Sequence, residues 1–242
     1  MLAIYKRELR AYFTSPIGYV VIAACWFFGG WNFTDLYSNG YPQISYVFDS
    51  LFLIILFIVP ILTMRLISDD RRMKTDQILL TSPVRITGII MGKFLSAFTI
   101  YATGLSCTFI FQMIFASNVD NAGWMQYWGS LSGTLFFGAA LIAIGLFISS
   151  MTESQVVAAV MSFAVSLFML MMNWAAVEID IGFLGERING WLTAAIRWMS
   201  VQDRYTEFTK GIFNYSNILF FLSLSVMFLF FAVRSMDKKR FV

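Results

Sequence analysis

The chain has 242 residues, of which 59% are hydrophobic and 13% charged, with a net charge of +3. Soluble domains carry roughly 45–50% apolar and about 25% charged residues, so this composition excludes an ordinary soluble domain and predicts a membrane protein. The absence of histidine removes imidazole haem ligation, His-containing zinc or iron sites and Ser-His or Cys-His catalysis, and so small a net charge offers nucleic acid no footprint.

The first segment, 1–15, places Leu2, Tyr5, Leu9, Tyr12 and Phe13 on one helical face, with Lys6, Arg7 and Arg10 elsewhere. It predicts an amphipathic helix in the membrane interface that also serves as a basic topology anchor. Ser15-Pro16 breaks it, because proline disfavours helical geometry in the preceding residue. Six apolar stretches follow, 17–33, 46–64, 94–116, 131–149, 156–174 and 213–233, each read as a transmembrane helix of about 20 residues. The first is expected to stay as an anchor, since no small-residue cleavage pattern follows it. Cys25 and Cys107 lie in apolar runs and read as small buried hydrophobes. Pro60 predicts a kink near the end of the second span, either static or able to transmit movement of the loop beyond it.

Residues 65–93 form the long charged connection. Ser68 or Asp69 can cap a helix, Asp70 and Lys74 lie four apart, as do Arg72 and Asp76, and Thr81-Ser82-Pro83 ends the run, predicting a short helix over 68–82 parallel to the membrane. Met73, Ile78, Leu79 and Leu80 would face the bundle or lipid, with Arg71, Arg72, Lys74 and Asp76 toward the cytosol; a solvated loop is the other reading of the same composition. In the fourth span, Thr134, Gly138, Ala139, Ala143 and Gly145 recur at near-four spacing and predict close helix packing, within the bundle or across a dimer. The link 150–155, with Glu153, reads as a turn or as a second, smaller cytoplasmic contact. Segment 175–210 is too polar to cross, but Ile188, Trp191, Leu192, Ala195, Ile196 and Met199 at helical spacing predict a helix dipping into the outer leaflet.

Of the 17 basic residues, 13 precede the first span, lie between the second and third, or follow the last, while eight acidic residues lie on the other side. Both termini are therefore expected in the cytoplasm. No Asp, Glu, Lys or Arg falls near a predicted midplane, where ion-coupled carriers and voltage sensors keep theirs. Energy for any uphill movement is thus expected to enter at a membrane face, from another chain.

The runs Tyr5-Lys6-Arg7-Glu8-Leu9, Ser15-Pro16-Ile17-Gly18-Tyr19-Val20, Arg65-Leu66-Ile67-Ser68-Asp69-Asp70-Arg71 and Leu79-Leu80-Thr81-Ser82-Pro83-Val84, with Gly92-Lys93 and the stretch from Ser200 to Gly211, resemble membrane subunits of type 2 ATP-binding-cassette exporters, closest to the gliding-motility-associated permeases. Where that family usually has glutamates and a glycine-threonine pair in the first cytoplasmic loop, this chain has Asp69, Asp70, Asp76 and Lys74-Thr75. The resemblance implies an all-α, six-span permease of the bacterial cytoplasmic membrane that pairs with itself or a related permease. It implies that Ser68, Asp69, Asp70, Arg71, Arg72, Lys74, Thr75 and Asp76 dock on two cytosolic ATPase chains, with Tyr5, Lys6, Arg7, Glu8 and Arg10 of the interfacial helix beside them, and that the segment before the last span is re-entrant. ATP and Mg would bind the ATPase alone, because the phosphate loop G-x-x-x-x-G-K-[ST] is missing from this sequence, where Gly92-Lys93 is followed by Phe94. Membrane lipids surround the chain, and an extracytoplasmic accessory protein is a further expected partner. The cargo this implies is hydrophobic, amphipathic or lipid-linked; the alternative is a subunit that transports nothing and transmits ATPase-driven movement to extracytoplasmic partners.

Overall fold

The computed structural model describes all residues except 40–43, 75–84, 119–122, 180–199 and 241–242. Among the described residues the regular structure is helical: α1 (Leu2–Thr14), α2 (Pro16–Ser38), α3 (Ser45–Thr63), α4 (Ser68–Arg72), α5 (Ile86–Leu105), α6 (Cys107–Asn118), α7 (Trp124–Met151), α8 (Gln155–Ile179), α9 (Val201–Thr209) and α10 (Tyr215–Arg240). Five of the resulting rods are long and apolar enough to cross a membrane: α2, α3 with α4, α5 with α6, α7 and α10. The sixth expected span falls on α8, whose apolar run within the described side chains, Gln155–Met171, is shorter.

Local chemistry sets the breaks. Ser15 is extended (ψ 153°) before Pro16, which takes the first position of α2, where a missing amide hydrogen costs nothing. Pro60 is carried inside α3, and the helix ends three residues later at Thr63. Near the middle of the third span, Ser106 caps α5 through a bond from its backbone N–H to the Thr103 carbonyl (3.2 Å), and α6 resumes at Cys107.

The third span starts at Ile86, where the sequence predicts Phe94. That prediction stops an apolar run at a charged residue, whereas Lys93 lies inside the helix with 1% of its surface exposed. Of the helix predicted over 68–82, α4 covers Ser68–Arg72 and Lys74 adopts φ 55°, a left-handed conformation that breaks helical geometry there, while 75–82 lie outside the described residues. Thr75 and Asp76 lie outside the described residues, as does most of the predicted outer helix around Ile188 to Met199.

Helix α7 is the central pillar and packs on α3, α5, α8, α9 and α10. Its small residues fit against neighbours within the chain. A side-chain carbon at Gly138 would collide with the Tyr101 ring, and one at Gly145 with Thr63. Thr134 and Ala143 are buried and Ala139 packs against the core. Both cysteines are free and buried.

Candidate functional site

At the end of the bundle that carries α1, three segments distant in sequence meet around one lysine. The first turns of α5 position Lys93 so that its Nζ lies 3.0 Å from Glu8 Oε1 of α1 and 2.7 Å from Asp70 Oδ2 of α4. Arg7 pairs with Glu8 at 2.6 Å and reaches Asp70 at 3.8 Å. Burying an ammonium is tolerable only when carboxylates surround it, and removing one partner of such a buried pair typically costs about 3–5 kcal/mol. Here two carboxylates converge on Lys93. Burial works against the charged Arg7 guanidinium, and Glu8 and Asp70 offset it, so the Arg7 pKa stands above its ordinary value.

Helix α1 presents Ile4, Glu8 and Tyr12 to the bundle. The predicted apolar face thus divides. Leu2 and Phe13 are exposed, because residues about 100° apart per position put them opposite Glu8. Tyr5 OH shares a hydrogen bond with Thr99 Oγ1 of α5 (3.1 Å), and buried Tyr12 donates to the Leu62 carbonyl of α3 (2.9 Å). Burial raises the Tyr12 phenol well above its ordinary pKa, which keeps it a donor.

The short helix α4 is held from beneath. Ser149 Oγ of α7 accepts the backbone N–H groups of Ile67 (3.1 Å) and Ser68 (3.0 Å), and Ser68 Oγ donates to the Met64 carbonyl. Asp69 receives Arg65 at 3.3 Å and the Gln155 amide, at the first turn of α8, at 2.6 Å. Ser68 and Arg71 are buried, Asp69 and Asp70 half-buried, and Arg72, Met73 and Lys74 exposed. The predicted docking residues therefore divide between inward anchors and an outward tip. A cleft bounded by Arg7, Glu8, Tyr12, Arg65, Asp70 and Lys93 opens beside them.

Sequence reading missed Lys93 and Ser149 as parts of this site, read the link ending at Gln155 as a turn or a separate smaller contact, and assigned Glu8 to the interface with no partner named. The available signal was a lysine followed directly by the apolar run Phe94-Leu95, which the charge-delimited span boundary discarded.

The opposite end is closed by packing. Ser200 Oγ caps α9 by accepting the Asp203 N–H (3.2 Å). Buried Tyr205 donates to the Phe48 carbonyl of α3 (2.9 Å), and its oxygen lies 3.0 Å from Thr134 Oγ1 of α7. Phe208 sits against Gly133, where a side-chain carbon would lie 2.5 Å from Phe208 Cβ. Asn217 of α10 accepts from Arg204 (2.9 Å) and donates to Glu207 (2.6 Å), which ties α9 to the last span.

Among the described residues no group of three or more His, Cys, Asp or Glu could hold a metal ion. What the site offers chemically is ion pairing between helices distant in sequence. No curated protein matches the chain. A family model described as ABC-2 family transporter protein matches residues 26–239. The chain therefore belongs to the ABC-2 transporter family and is a multi-pass membrane permease subunit of an ATP-binding-cassette transporter, with the ATPase carried by partner subunits.

Proposed function

We propose that this permease exports a hydrophobic, amphipathic or lipid-linked molecule, driven by two ATPase chains that dock on the tip Arg72-Met73-Lys74 and the residues that follow it. The permease pairs with a second copy or a related permease in the bacterial cytoplasmic membrane, with α1 and both termini on the cytoplasmic side. Its motif order sits nearest the gliding-motility-associated permeases, and an extracytoplasmic accessory protein remains part of this reading.

One observation carries the reading. The exposed tip is continuous with Asp70, and Asp70 shares Lys93 with Glu8, so a push on α4 acts on α1 and α5 together. The bonds to Ser149 and from Gln155 extend the same joint to α7 and α8. A membrane helix bundle with ionic contacts gathered at one end fits energy supplied at a membrane face.

The test is ATP hydrolysis by the co-purified ATPase. Charge reversal at the tip, Arg72→Glu with Lys74→Glu, abolishes stimulation while the permease stays folded; Asp69→Ala, Asp70→Ala and Arg71→Ala together do the same by loosening the anchors. Unchanged stimulation in both variants overturns the docking role. In vesicles, hydrolysis without accumulation of any hydrophobic or lipid-linked cargo would turn the reading toward a subunit that only transmits movement.

A further inference from the structure

The basic residues around α1 fall into two groups. Arg7, Arg65 and Lys93 are each engaged by a carboxylate, whereas Lys6 and Arg10 are exposed and have no ion pair among the described residues. At about 100° per residue, Leu9, Leu2 and Phe13 form one edge of α1, and Lys6 and Arg10 stand directly beside that edge, on the side away from Tyr12. Leu2 is 71% exposed and Phe13 39%. An apolar edge flanked by exposed cations on flexible stems matches the depth of the phospholipid phosphates, where stems stay in hydrocarbon and charged heads meet anionic oxygen.

We propose that Lys6 and Arg10 form a site for the headgroups of anionic phospholipids, with Leu2 and Phe13 seated among the acyl chains. Charge complementarity selects the occupant: two exposed cations without an ion pair among the described residues attract a lipid of net negative charge over a zwitterionic one. The consequence reaches the ion cluster. Glu8 is on the same rigid helix, so a headgroup that sets the depth of α1 also sets whether Glu8 meets Lys93. This goes beyond the permease reading and holds on whichever face of the membrane α1 lies.

The experiment uses the purified full chain with Ala3→Cys carrying a fluorophore, since Ala3 is exposed and Cys25 and Cys107 are buried. The protein is placed in phosphatidylcholine vesicles containing either brominated phosphatidylglycerol or brominated phosphatidylcholine at equal fraction. Brominated phosphatidylglycerol quenches more strongly, with a preference of roughly fivefold per basic residue near the surface, which shrinks as salt is added. The preference disappears in Lys6→Gln with Arg10→Gln and is kept in the charge-conserving pair Lys6→Arg with Arg10→Lys, which separates charge from a merely structural role. Equal quenching by the two lipids in the unsubstituted chain overturns the proposal, as does a preference that survives the glutamine variant or is lost in the charge-conserving one. Equal quenching combined with protection of the label by the ATPase would give this face to a protein partner instead.

Discussion

The two ends of the bundle are closed by different physics. At the α1 end, Lys93, Glu8, Asp70 and Arg7 hold three segments through charge. At the α9 end, Phe208 and Tyr205 are set into α7 over Gly133 and Thr134 by shape and by hydroxyl bonds, and charge enters through Asn217, which ties Arg204 and Glu207 to α10. A charged joint can exchange partners, because a docking protein's cations can compete for Glu8 or Asp70 and its carboxylates for Arg7. A packed joint has no such substitute and opens only as a unit, since close-packed interiors switch between discrete arrangements and do not deform smoothly. On the proposed docking role, the difference would put responsiveness at one end and resistance at the other.

The sharpest way to break this contrast is to remove the shared cation. Lys93→Ala takes the buried cation away from Glu8 and Asp70, beside which the more exposed Arg7 still lies, and is expected to lower stability by about 3 kcal/mol, reduced by whatever water enters; thermal unfolding in detergent measures it. A loss under about 1 kcal/mol would mean that the cluster is solvated and holds little. Next comes Gly133→Ala, whose new carbon meets Phe208 Cβ at 2.5 Å. It is expected to cost about 1–3 kcal/mol and to expose α9, read as faster labelling of a cysteine placed at buried Val201. Unlike Lys93→Ala, its effect is insensitive to salt. The smallest change is Arg65→Gln, which removes a partly exposed pair with Asp69 while Gln155 still donates to that carboxylate. It is expected to shift stability by less than about 1 kcal/mol, and a larger loss would show that Asp69 anchors α4 as strongly as Asp70 does.

Much of the helical layout was legible from hydropathy, because a stretch of apolar residues long enough to span a membrane is a local property. The break at Ser15-Pro16 was equally legible, since it follows from the proline ring. The small residues of the fourth span signalled close approach, yet their partners were not readable: Gly138 faces Tyr101 and Gly145 faces Thr63, choices made by how α3 and α5 wrap α7. The Arg65–Lys93 connection was legible as charged, but its orientation was not. Asp69 and Asp70 turn inward because Gln155 and Lys93 wait there, and Arg72 and Lys74 are left outside. Lys93 itself was misplaced, since a lone lysine beside an apolar run reads as a boundary until its neutralising partners are known.

Composition and hydropathy thus determined that the chain resides in a membrane as an all-helical bundle, because transfer of side chains out of water depends on each segment's own residues. Tertiary structure alone decided that Lys93 is an interior residue, because the carboxylate that makes its burial affordable comes from a helix 85 positions away. It also decided which of the loop's charges anchor and which face outward, since that depends on where folding brings Ser149, Gln155 and Glu8.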